Sequence, residues 1–337
     1  MTSSRATSGS DPGTALDTFA RRHRLSVFEL LPWLVAVAAY FAFSGYLALG
    51  SQILATIIFA LSVDLLIGYA GIVTLGHAAF LGTGAYTAGI LAANGWGEPI
   101  SGLLAAAIVS GAMGLLSGAI ILRTSGLTLL MQTLVVAAML YEIANKAHRL
   151  TGGADGLQGM VVWPVFGLFR FDMFGRTAYL YCLAVLFVCW FVLRTVLHSA
   201  FGRSLVGIRE NALRMHAVGT PVDRRKLMAY AVSAALAGIA GALIAQTTGF
   251  VSLGMLSLER SGSILIMLII GGVGRLYGAF IGVPLYMLAQ DRFATIDPVY
   301  WYFWIGLFMV LVVLFARGGG GVLGVAQRLR RKPGTAP

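Results

Sequence analysis

The chain has 337 residues, of which 58% are hydrophobic and only 11% are charged. Soluble domains carry about 25% charged residues, so this composition excludes a water-soluble globular protein and points to an all-α polytopic membrane protein. Its 24 Lys and Arg outnumber its 13 Asp and Glu, giving a net charge of +11, and loop placement rather than a nucleic acid partner is the first explanation to test.

Residues 1–29 are polar and place Arg21, Arg22 and Arg24 just ahead of the first apolar run. They read as a cytoplasmic, largely disordered tail and not as a cleavable signal peptide, because the run 30–49 is long enough to cross a bilayer. Apolar runs follow at 51–70, 74–93, 100–122, 126–146, 178–197, 229–249, 261–274, 277–292 and 299–316. The runs 261–274 and 277–292 are short and interrupted by Gly, and 74–93 is rich in small residues. Any of the three could be re-entrant, so eight to ten spans are expected. A basic tail, 317–337, closes the chain.

With the N-terminus inside, 18 of the 24 basic residues fall at the inner side and six outside, a positive-inside bias that accounts for most of the net charge. Both termini are then cytoplasmic. The membrane domain 30–316 contains two long connections, one outside (147–177) and one inside (198–228). The two cysteines, Cys182 and Cys189, are seven residues apart on one predicted helix, about 10 Å along its axis, too far for a disulfide. They read as packing residues.

The stretch GYAGIVTLGHAAFLGTGAY (68–86) carries Gly68, Gly71, Gly76, Gly82 and Gly84 among apolar neighbours. Such glycines either let helices approach closely or mark broken backbone beside a water-filled path. Gly278 and Gly282 in GGVGRLYGAFIG (271–282) echo it and hint at two related halves. Polar residues inside apolar segments are candidates for the translocation path, because they are costly unless they face a cavity or a partner. Asp64, Thr74, His77, Gln132 and Glu142 are the set. Asp64 could equally make an interhelical hydrogen bond, His77 could be a packed neutral residue, and Glu142 could pair with Lys146 at the helix end.

In the inner connection, Leu205, Ile208, Ala212, Met215 and Gly219 recur at helical spacing, with Arg203, Arg209 and Arg214 at other angles. The spacing predicts one amphipathic helix over 203–219, stopped by Gly219-Thr220-Pro221. It either lies on the bilayer surface or docks a cytoplasmic partner, and the polar cluster Arg209-Glu210-Asn211 favours the partner. The only lysines are Lys146, Lys226 and Lys332, and none completes a phosphate-binding GxxxxGK[ST] loop. No catalytic constellation and no metal-ligand set is expected.

Taken in order, GYAGIVTLGHAAFLGTGAY, LTGGADGL, RENALRMHAVGTPVDRRKLMAYAVSAALAGIAGAL and GGVGRLYGAFIG resemble the membrane permeases of branched-chain amino acid ABC importers, most closely the M-type subunit. The resemblance covers about residues 30–325. It implies the many-helix importer fold and residence in a bacterial cytoplasmic membrane. It also implies a homologous second permease, two cytoplasmic ATPase subunits that bind ATP and Mg, and an extracytoplasmic substrate-binding protein. Arg209, Glu210, Asn211, Ala212, Arg214 and Gly219 fall in the family's ATPase-coupling loop, a degenerate Glu-Ala-Ala loop. The chain departs from the family pattern at Gly71-Ile72-Val73-Thr74, where a Gly-Gln-Leu-Ser type is common, and at Asp64, where an uncharged polar residue often stands. Relatives also carry urea, amides and carboxylates, so the solute is a branched-chain amino acid or a related small molecule. The competing reading is a self-sufficient secondary transporter or channel using Asp64, His77 and Glu142 as a proton or ion relay.

Overall fold

The computed structural model describes residues 27–42, 45–164 and 175–315. The two tails and the 165–174 part of the long outer connection, for which the sequence reading expects disorder, basic charge and an aromatic stretch, lie outside the described residues. Among the described residues the only extended pairing is one antiparallel bridge, Leu157 with Val251.

The first helix, α1 (Val27–Ala42), forms a unit of its own. It contains Pro32, whose missing N–H interrupts the hydrogen-bond ladder. The second unit starts with a turn at Gly45 and Tyr46, so the apolar run 30–49 is not one helix. Helix α2 (Leu47–Asp64) then runs without a break into a π segment, Leu65–Ala70. Gly71 ends it at φ 70°, a left-handed backbone that glycine adopts without a Cβ penalty. An irregular stretch follows to His77, then α3 (Ala78–Ala93), α4 (Pro99–Ile121, with Pro at its start) and α5 (Leu127–Lys146).

A short turn, α6 (His148–Thr151), leads towards α7 (Arg176–His198). The expected amphipathic helix over 203–219 is two helices, α8 (Ala200–Glu210) and α9 (Ala212–Ala217). Asn211 breaks them: its backbone is extended and its Oδ1 accepts from the Arg214 N–H at 2.9 Å. Asn favours this capping role over a helix interior. The expected stop is present, with Gly219 at φ 84°. Helix α10 (Val222–Thr248) begins seven residues before the apolar run 229–249, because Arg224, Arg225, Lys226 and Leu227 are good helix formers that need no burial. Helices α11 (Leu258–Gly271), α12 (Ala279–Ile296) and α13 (Trp301–Phe315) complete the unit.

Among the described residues, five helical stretches are long and apolar enough to cross a membrane: α2 with its π segment, α4, α5, α7 and α10. Helices α3 and α11 have 16 and 14 residues, which is about 24 and 21 Å of helix against a hydrocarbon core of about 30 Å. Nine of the ten apolar runs each correspond to one helix, and the run 30–49 divides between α1 and the start of α2.

Helix α10 is the hub, packed against α2, α3 and α4. Small residues make this possible. A Cβ on Gly84 would run into the Gly238 backbone, one on Gly241 into the Leu81 carbonyl, and one on Gly114 into Ala234. Without a water-driven hydrophobic force between spans, this close packing and interhelical hydrogen bonds hold the bundle. Gln246 shows the second device. Its Nε2 donates to Pro99 O at 2.9 Å, and its Oε1 accepts from the Tyr181 hydroxyl at 2.9 Å, joining α10 to α4 and α7. At the far end of α10, Tyr86, Ala245, Val251, Leu253 and Leu256 form an apolar cluster with Leu157 and Met160 over them.

Candidate functional site

Two buried polar clusters lie along α2. The first centres on His77, which precedes α3 and is 1% exposed. Its Nε2 lies 3.2 Å from Ser62 Oγ and 3.1 Å from Ser233 Oγ. Both hydroxyls already donate to carbonyls, Ser62 to Phe59 O and Ser233 to Ser62 O. The ring therefore donates from Nε2, and this assignment follows from the network. Nδ1 has no partner among the described residues. Phe59 stacks on the ring at 5.9 Å between centroids, and Phe80 meets it edge-on at 5.4 Å. The cluster ties α2, α3 and α10 together.

The second cluster joins α2 to α8 and to the turn between α11 and α12. Asp64 is 1% exposed, and its Oδ1 accepts from the Gly274 N–H at 2.7 Å. Four residues on, the Gly68 carbonyl accepts from Nη1 of Arg209. A Cβ on Gly68 would collide with the Gly274 backbone, and one on Gly71 would sit 3.0 Å from Cγ of Arg209.

The five path candidates do not share one surface. Thr74 is buried, like Asp64 and His77, and its Oγ1 accepts from the Gly76 N–H at 3.3 Å. Gln132 is half-buried, with Oε1 accepting from the Thr124 hydroxyl at 2.9 Å. Glu142 pairs with Lys146 at 3.6 Å, with side chains 52% and 78% exposed, an arrangement worth little in energy. The remaining glycines each abut something. Gly76 faces the Thr133 carbonyl, Gly82 faces the Leu256 side chain, Gly278 faces Gly272 O, and Gly282 faces the Met267 carbonyl.

In the coupling loop, Glu210, Asn211, Leu213, Arg214, His216, Val218 and Gly219 are all exposed, while Ala212 is half-buried. Leu213 and Val218 are 83% and 75% exposed. Beneath them, Leu205 and Ile208 are buried, and α8 packs on the π segment and on α10. One side of this helix pair is thus embedded and the other bare. Among the described residues no three His, Cys, Asp or Glu side chains stand together as metal ligands.

Residues 45–313 match the family described as branched-chain amino acid transport system / permease component. The chain belongs to this permease family. The permease is 28% identical to the high-affinity branched-chain amino acid transport system permease protein LivM of Salmonella typhimurium, over 96% of this chain and 80% of the relative. The LivM of Escherichia coli gives the same figures. The autoinducer 2 import system permease protein LsrC of an Enterobacter species is 29% identical, over 87% of this chain and 85% of that one. No solved structure matches it.

Sequence reasoning about the permease missed Ser62, Ser233 and Gly274. The two serines carry no local signal, since their shared partner His77 is 15 and 156 residues away. Gly274 lies within GGVGRLYGAFIG, where four other glycines leave it no distinguishing local signal.

Proposed function

We propose that this permease is the membrane subunit of a binding-protein-dependent ABC importer in a bacterial inner membrane, with both termini on the cytoplasmic side. It works with a homologous second permease, two cytoplasmic ATPases that hold ATP and Mg, and an extracytoplasmic substrate-binding protein. The solute is a branched-chain amino acid or a related small molecule, in line with what the names of the LivM and LsrC relatives say of those proteins. Nucleotide-driven closure of the ATPases would move α8–α9, and alternating access across the membrane would follow.

One observation carries the reading: the α8–α9 pair buries Leu205 and Ile208 in the membrane unit while presenting Leu213, Arg214 and Val218 outward. A helix lying on a bilayer needs its apolar residues on the membrane side. Bare Leu213 and Val218 beside Arg214 instead suit a protein partner. The test is co-purification from native membranes in mild detergent, with Leu213→Asp as the variant. Recovery of an ATPase and a second permease with the unaltered chain, and loss of the ATPase with the variant, is the expected result. Purification of the chain alone, active in proton- or sodium-driven uptake, would overturn the reading in favour of a secondary transporter.

A further inference from the structure

Arg209 is exposed as a residue, yet its guanidinium does not simply hang in solvent. Through Nη1 it donates to the Gly68 carbonyl, across 141 residues of sequence. That carbonyl needs an outside donor. In a continuing helix its partner would be Ile72 or the residue after it, but the helix ends at Ala70, and the Ile72 N–H is taken by Leu66 O at 2.9 Å. A buried peptide carbonyl left without a donor is costly, and Arg209 supplies one.

The same guanidinium reaches the α11–α12 turn. A Cβ on Gly274 would sit 3.3 Å from Nη1 of Arg209 and 3.3 Å from Gly68 O. Gly274, at φ 77°, donates its N–H to the buried Asp64 carboxylate across 210 residues of sequence. One cation from α8, one carboxylate from α2, the end of the π segment and the α11–α12 turn therefore meet at one place. The carboxylate provides the counter-charge that lets a guanidinium lie against the membrane unit. Glycine at 68 and 274 lets the backbones touch.

Both turns held here precede a short helix. Residues 71–77 lead into α3, and residues 272–278 lead into α12. Gly71 and Gly274 have positive φ, the backbone freedom that hinges use. Resting on the importer reading above, we infer that Arg209, seated on Gly68, Gly274 and Asp64, is a positioning residue that passes movement of α8–α9 to both Gly-rich turns at once. Arg209 thus acts inward, whereas Leu213 and Arg214 face the ATPase.

The experiment measures hydrogen exchange of amides 68–73 and 272–276 in the complete transporter, with and without ATP, Mg and vanadate. Arg209→Gln, Arg209→Lys, Asp64→Asn and Gly262→Ala are compared. Nucleotide should change exchange at both turns in the unaltered protein. Arg209→Gln and Asp64→Asn should retain the ATPase but lose that change, Arg209→Lys should restore part of it, and Gly262→Ala, where a Cβ meets nothing within 4 Å, should keep it. A nucleotide response in Arg209→Gln equal to that of the unaltered protein, or loss of the ATPase from that variant, would overturn the inference. If the unaltered chain recovers no ATPase, the importer reading falls by itself, and exchange without nucleotide still decides. Arg209→Gln should speed both turns about tenfold, and unchanged exchange there would overturn the joint.

Discussion

Helices α2 and α5 are both apolar spans with a carboxylate inside them, yet they treat it in opposite ways. In its most apolar stretch, α2 with its π segment is 83% buried and α5 only 22%. Asp64 on α2 is enclosed and bonded to Gly274, and its neighbours Ser51, Thr56 and Ser62 are also buried. Glu142 on α5 stays exposed beside Lys146, on a helix whose Leu127, Met131, Val135 and Met139 are all more than half exposed. Both segments are apolar enough to cross a membrane; what separates their carboxylates is whether the rest of the chain brings a partner to the polar group. A buried carboxylate with a backbone donor is part of the packing, whereas one paired at a helix end is a surface feature.

Glycine replacement in the buried region gives the largest expected effect. Gly68→Val would drive two methyls and a Cβ into the Gly274 backbone, and Gly241→Leu would do the same against Leu81. Neither variant should give a monodisperse peak on size exclusion after detergent extraction. Gly262→Ala on α11, where a Cβ meets nothing within 4 Å, should behave as the unaltered protein. Comparable peaks for Gly68→Val and Gly262→Ala would show that the close approach is not needed.

Next in size is the contrast between the carboxylates. Asp64→Leu leaves the Gly274 N–H without its acceptor and should cost about 1–3 kcal/mol. Glu142→Leu should stay within about 0.5 kcal/mol. Thermal unfolding in detergent reads both, and equal shifts would erase the distinction drawn between α2 and α5. The double change Ser62→Ala with Ser233→Ala removes both acceptors of the His77 Nε2–H and should cost about 1–2 kcal/mol by the same assay. No shift would mean that the ring has found another acceptor.

The smallest effect is expected at the exposed α12–α13 corner. Asp297 accepts from the Tyr300 N–H at 3.2 Å, the Val299 N–H at 3.3 Å and the Trp304 indole at 3.3 Å. The Tyr300 amide, first, and then the indole hold its carboxyl below the usual carboxylate range. A depressed carboxyl pKa stabilises the corner above the unfolded value and loses that support as pH falls through the folded value. Asp297→Asn should therefore flatten the acid side of the unfolding profile and leave neutral pH nearly unchanged. An unaltered acid limb would remove Asp297 from the account.

The amino-acid pattern by itself determined a good deal. Nine of the ten apolar runs became one helix each, the run 30–49 was split by the turn at Gly45 and Tyr46, and Gly219 stopped the inner helix pair. The family motifs lay in the stated order. These features are local, since apolar run length, a Gly able to hold positive φ and the absence of a Walker loop depend only on neighbouring residues. Even the break at Asn211 had a local signal, an Asn able to cap the next helix, which the amphipathic spacing of the flanking residues concealed.

Only the tertiary structure decided which polar residues have partners. The donors to Asp64 and to the Gly68 carbonyl come from 210 and 141 residues away, so no window along the chain contains both halves of either bond. The π segment at 65–70 belongs to the same class, because its irregular end is tolerated where Arg209 and Gly274 arrive to cover it. A hydrogen bond or a buried charge is satisfied by geometry across the fold, whereas a helix is made by the residues within it.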